Sequence, residues 1–209
     1  MKSIIKGLAA FAVVLGMFSQ PIGASAADVF HFRGQGVEAT FVNVDPSGCL
    51  YTSVYLVAAE QVTQNPPGAP DPSAGILVQY FQADFCTNTV FHSASATVPL
   101  SESELDFTGK LHLATLHTTV TVFEFGSNAP TDITIDLTWR ATNPRLFDNL
   151  HSHYHFEGCH FIYRNISAFR LAELSGSVSY ETTTLTPEPS QVAGRIFTAN
   201  HGTVSHGCG

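Results

Sequence analysis

Between Thr131 and Thr142 the chain reads TDITIDLTWRAT, and this short run limits the fold more than any other part of it. Ile133, Ile135, Leu137 and Trp139 alternate with Thr134, Asp136, Thr138 and Arg140. Successive side chains of a strand point to opposite faces, so the run makes one apolar face and one wet face. β-Branched Ile and Thr stiffen the backbone toward extended geometry. The run is expected to be a central strand, with Trp139, the single tryptophan, on its buried side.

Shorter stretches repeat the pattern. A strand over 29–32 and a Gly34-Gln35-Gly36 turn lead to a second strand at 37–44, where Val37, Ala39 and Phe41 share a face. Asp45-Pro46-Ser47-Gly48 is a turn signal, and 50–59 follows as a long apolar strand. Residues 64–75, rich in proline, form a loop within the domain. Residues 76–86 and 89–98 read as a hairpin about Thr87-Asn88, and 110–117 and 118–125 continue the β pattern. Ser101 to Phe107 could hold one helical turn capped by Ser101 with Glu104, or a short outer strand, and the strand is the reading taken. Residues 165–176 fit a helix face or a strand, and the plain strand of 177–180 favours a strand broken at Gly176. Ile196-Phe197-Thr198 and Thr203-Val204 are expected as short edge strands. Many short strands between Gly- and Pro-rich turns indicate an all-β antiparallel sandwich, with a closed barrel as the alternative.

Residues 1–26 have the form of a secretory signal peptide: Lys2 and Lys6, an uncharged run over 8–18, a break at Pro21 and Gly23, then Ala24-Ser25-Ala26. The apolar run falls short of the roughly 20 residues a spanning helix needs. A secreted protein of one domain, 27–209, is therefore expected, with no membrane span. Losing the leader removes two bases and no acid, so the net charge of −8 becomes two units more negative. A chain so acidic repels phosphate backbones, which argues against nucleic acid as a partner. The charged fraction of 12% leaves ample apolar surface for a core, which argues against disorder.

Cys49, Cys86, Cys159 and Cys208 make an even set in an exported chain, and two disulfides are expected. Three connectivities are open. Pairing of neighbours, Cys49–Cys86 and Cys159–Cys208, closes the shorter loops and pins a Gly-rich C-terminus.

The candidate site is the histidine run. His151, His153 and His155 alternate in NLHSHYHFEGCH, and His160 follows Cys159. On a strand the first three share a face, with Cα atoms about 6.8 Å apart at each i,i+2 step. Imidazoles so placed can converge on zinc or copper. A Cys159–Cys208 bond would bring His201 and His206 toward the same end of the sheet.

Other motifs lack their context. Gly34-Gln35-Gly36-Val37-Glu38-Ala39 matches a loose dinucleotide fingerprint, but a strand follows where a helix must hold the phosphates. Gly-x-Ser-x-Gly is absent, and Lys110 has no Ser-x-x-Lys nucleophile. Glu102, Glu104 and Asp106 read as a solvated acidic face, Tyr51 and Tyr55 share a face, and Asn165-Ile166-Ser167 is a sequon. These observations favour a secreted, non-enzymatic β-sandwich binding a ligand or surface component through its loops. The alternatives are a His-rich metal protein or metalloenzyme, and a barrel carrying an apolar small molecule.

Overall fold

The computed structural model describes residues 28–64, 71–101, 103–156, 159–187 and 192–208. The expected leader, residues 65–70 of the Pro-rich loop and Glu102 lie outside them; the rest of that expected loop is strand, since 64 ends one strand and 71–75 begin the next. The described chain is antiparallel β throughout, in strands β1 (Asp28–Val44), β2 (Leu50–Gln64), β3 (Asp71–Asp84), β4 (Thr89–Pro99), β5 (Leu105–Thr108), β6 (Leu113–Glu124), β7 (Pro130–Ala141), β8 (Leu146–Phe156), β9 (Cys159–Tyr180), β10 (Thr183–Leu185) and β11 (Val192–Cys208).

β7 keeps the rhythm of its sequence. Ile133, Ile135, Leu137 and Trp139 are buried, while Asp132, Thr134, Asp136 and Arg140 are exposed. Each fully buried aliphatic side chain of this kind contributes roughly 1.5–3 kcal/mol. β7 pairs with β6 on one side and with the C-terminal part of β9 on the other. From β9 the pairings run through β11, β1, β2, β3 and β4 to β6, and so return to β7. The facing layers of the expected sandwich are thus parts of one sheet that folds back on itself. Its last link is thin: β4 and β6 share the pairs Ala94–Glu124 and Ser95–Phe123.

One core fills the space between the facing layers. Val37, Ala39 and Phe41 of β1, Val54 and Leu56 of β2, and Ile76, Val78 and Tyr80 of β3 meet the β7 row there. The Trp139 indole N–H reaches across to the Glu38 carbonyl at 2.9 Å, joining two strands that are not neighbours in the sheet. A buried indole needs such a partner, because its unpaired N–H would carry the full cost of lost hydration.

The strands are longer than their sequence signals. Residues 34–36 are not a turn: β1 runs straight through them with a register shift between Phe32 and Gly34. Gly36 is required there for packing, since a Cβ would lie 2.5 Å from the Phe197 ring. The two expected C-terminal edge strands are one strand of 17 residues, β11, laid between β9 and β1. Residues 165–176 belong to the 22-residue β9. The break expected at Gly176 is absent, and the strand runs on through it paired with Leu137; the glycine has a φ of +107°, and a Cβ there would meet the Asp136 carbonyl oxygen at 2.0 Å. Glycine tolerates both the dihedral and the contact. Residues 110–112 form the turn before β6, with Lys110 and Leu111 at positive φ. The short strand expected here is β5, and just before it Ser101 and Glu104 form the capped turn of the alternative: Glu104 Oε2 accepts from Ser101 N at 2.6 Å and from Ser101 Oγ at 2.7 Å. Glu104 Oε1 also takes the Thr118 hydroxyl at 2.5 Å, so this residue is tied down rather than part of a solvated face.

Candidate functional site

β8 pairs along its whole length with the N-terminal part of β9, which pairs on its other side with β11. This ribbon, extended by β1, carries the histidine run beyond the core. His151, His153 and His155 are exposed on β8, as the alternation predicts. The structure brings two of them together. His151 Nε2 and His153 Nε2 lie 3.0 Å apart, with ring centroids at 4.6 Å. Arg164, the register partner of His151, donates from Nε to His151 Nε2 at 3.3 Å. His155 stands opposite His160 in the same ladder. His201 and His206 are opposite Ile166 and Phe161, so β9 separates their strand from β8. Among the described residues no third His, Cys, Asp or Glu offers a donor atom within 4.8 Å of the His151–His153 pair.

The opposite end has another character. Val44 and Tyr51 face each other across the β1–β2 turn. Tyr51 touches Phe81 and Phe85, at centroid distances of 6.3 and 5.5 Å. Phe81 is opposite Ser93 on β4, and the Ser93 carbonyl accepts from Phe125 N at 2.7 Å. Two residue pairs further in, Ser95 is opposite Phe123. Phe91 has no register partner, because the β3–β4 ladder shifts between Gln82 and Ala83. A bulge of this kind turns its extra residue out of the sheet. Phe85, Val90, Phe91, Phe123 and Phe125 are all more than half exposed. Isolated exposed apolar residues are ordinary; here several gather at one end.

The Cys49–Cys86 disulfide, the first expected pairing, fixes this end with a Cα–Cα separation of 5.2 Å. Two carboxylates organise the turns beside it. Asp45 Oδ1 accepts from Cys49 N and Leu50 N at 3.0 and 2.8 Å, and Asp84 Oδ1 from Cys86 N and Thr87 N at 2.8 and 3.0 Å. Hydrogen bonds, from Ser47 to Asp45 and from the Thr87 backbone to Asp84, hold both carboxyls below the usual range. Asp132, whose Oδ1 accepts from Thr121 Oγ1 at 2.7 Å, and Glu181 add charge at the same end. The seven lysines and arginines beyond the leader are Arg33, Lys110, Arg140, Arg145, Arg164, Arg170 and Arg195. None lies in the strand ends or turns that make up this surface.

Just inside the aromatic end, Glu124 clasps the weak joint of the sheet. Its Oε1 accepts from His92 Nδ1 at 2.9 Å and from the Tyr180 hydroxyl, and its Oε2 from Ser93 N at 3.1 Å. Burial pushes the Glu124 carboxyl up, but the hydrogen bonds from Tyr180, His92 and Ser93 together outweigh it and hold the group below its ordinary value. Tyr180 stacks on Tyr80 at a centroid distance of 4.0 Å, and His92 meets the Tyr180 ring edge-on at 5.2 Å. Burial, with Glu124 beside it, raises the Tyr180 hydroxyl. These groups join β3, β4, β6 and β9 where the ladder supplies two residue pairs.

On the outer face at mid-sheet, Glu38 is paired with Arg195 at 2.5 Å. Burial pushes the Glu38 carboxyl up in spite of that guanidinium. Tyr55 beside it is pushed up to about 12, by burial first and by Glu38 second. The Arg195 guanidinium lies over the Phe169 and Phe197 rings at 5.9 and 5.7 Å.

No family model matches the chain. Nor does any curated protein. Among solved structures, the chain is similar to an acetoacetate decarboxylase-like enzyme from Sphingomonas wittichii RW1, with 12% identity, a TM-score of 0.25, and coverage of 92% of this chain and 97% of that one. A likeness at that score says nothing about chemistry here.

Neither Glu124–His92–Tyr180 nor Glu38–Arg195 is visible as a motif, because each spans strands far apart in sequence. A weak signal exists: Glu38 is the one acid of 37–44 and Glu124 the one acid of 113–124. The aromatic end was hidden for the same reason, its rings coming from β2, β3, β4 and β6 and their turns.

Proposed function

We propose that the protein is secreted and works by binding, using its acidic aromatic end to hold a basic, amphipathic polypeptide segment of a surface component. The observation that carries this is the gathering of Phe85, Phe91, Phe123 and Phe125 at one disulfide-fixed end whose charges are all negative. Phenyl rings supply contact area and no group that moves a proton, so the surface is suited to recognition rather than turnover. Its carboxylates favour a cationic rim on the partner and disfavour an anionic bilayer. The same reading includes a second cross-link, Cys159–Cys208. It is supported by register: the two residues are direct partners across β9 and β11. Direct partners in antiparallel strands have Cα atoms about 4.5–5.5 Å apart, a span a disulfide bridges.

The test uses the mature protein and a labelled synthetic peptide of leucine and lysine, patterned as an amphipathic helix, read by fluorescence anisotropy. Replacing all four phenylalanines by serine should weaken binding about thirtyfold, as expected when central aromatic contacts are lost. Asp132→Asn with Glu181→Gln should weaken it several-fold and flatten its salt dependence. Equal affinity for a leucine–glutamine peptide, or capture of phosphatidylserine vesicles in place of the peptide, would overturn the reading.

A further inference from the structure

The His151–His153 pair asks for something between its nitrogens. Both rings are exposed, and their two Nε2 atoms converge to 3.0 Å. Two bare lone pairs at that distance repel, so the arrangement suits a shared proton or a shared cation. A metal ion binds imidazole nitrogen at about 2.0–2.1 Å, and two such bonds at a right angle leave the nitrogens about 3.0 Å apart. Right-angled nitrogen pairs belong to the tetragonal geometry of Cu(II) and Ni(II), whereas tetrahedral zinc requires a wider bite. Cu(II) is also the strongest binder of the divalent series at a nitrogen site.

We propose that His151 and His153 form a two-imidazole chelate for a divalent late transition metal, Cu(II) before Ni(II) and Zn(II). The ion sits on the outside of the ribbon with its remaining positions open to water, so it exchanges. Arg164 is the competitor. Its Nε–H occupies the lone pair of His151 that the metal needs, and its charge opposes the ion. Metal entry therefore displaces that hydrogen bond, and Arg164 limits the affinity of the site. The aromatic end has no part in this, so the proposal is independent of the peptide-binding reading.

The experiment titrates the mature protein with Cu(II), Ni(II) and Zn(II) chlorides, followed by calorimetry and, for copper, by electron paramagnetic resonance. One copper per chain should bind, with hyperfine structure from two imidazole nitrogens. His151→Ala and His153→Ala should each weaken binding at least about tenfold, and to a similar extent, since either leaves a single donor. Arg164→Gln should tighten binding several-fold, an effect that a general loss of fold could not produce. Metal-free melting curves confirm that the variants keep their structure, the three side chains being exposed. Unchanged copper binding in the double variant His151→Ala/His153→Ala, or weaker binding in Arg164→Gln, would overturn the proposal.

Discussion

The aromatic end and the histidine ribbon are built from the same kind of strand, yet they hold their shape in different ways. At the aromatic end every strand has a buried inner face. Phe41, Val54, Tyr80, Ala94 and Val122 lie beneath, and the outer rings stand on a floor fixed by that core. Among the described side chains, β8 of the ribbon has a ladder but little floor. On β8, Leu146, Phe147 and Tyr154 are exposed, and along its length pairing with β9 supplies the order. Backbone hydrogen bonds contribute modestly once their exchange with water is counted, whereas apolar burial accumulates with every residue. The lesson is that one end offers a rigid surface for a large partner. The other offers exposed side chains suited to a small one.

The sharpest way to break this comparison is to remove one large ring from each region. Trp139→Ala empties the centre of the core and leaves the Glu38 carbonyl without its donor. It should cost about 3–5 kcal/mol in urea unfolding, while Phe147→Ala should stay within about 0.5 kcal/mol. Comparable losses would show that the ribbon is part of the core after all.

A smaller effect separates the two cross-links. Cys49→Ser with Cys86→Ser opens a loop with a sequence separation of 37 at the fixed end, and should lower global stability by about 2–4 kcal/mol. Cys159→Ser with Cys208→Ser should leave the melting temperature almost unchanged and speed amide exchange along the outer parts of β9 and β11, which can open locally. Peptide mapping without reduction should recover both bonds from the native protein. Free thiols at 159 and 208 would remove the second from the account.

The smallest effect concerns acid. Glu124 holds its proton less readily folded than unfolded, so its contribution is complete above the ordinary value of 4.5 and disappears as the pH falls through the lower folded value. Glu124→Gln should cost about 1–2 kcal/mol at pH 7, where the charged hydrogen bonds from His92 and Tyr180 are lost, and progressively less as the pH falls below 4.5. A difference independent of pH would mean that the Glu124 clasp works through shape rather than charge.

The sequence alone determined the antiparallel β class, the buried side of residues 131–142 and the shared face of His151 and His153, and it favoured Cys49–Cys86 as the shorter closure without deciding it. Each rests on a local rule: side chains alternate every two residues, and near cysteines meet at less entropic cost. Only the tertiary structure decided that the strands join into one returning sheet, that Glu124 clasps its thin joint, that the phenylalanines of several turns gather at one acidic end, and that Arg164 competes at His151. These depend on register between segments far apart in the chain. Register is the outcome of all the pairings at once, and no single stretch of residues encodes it.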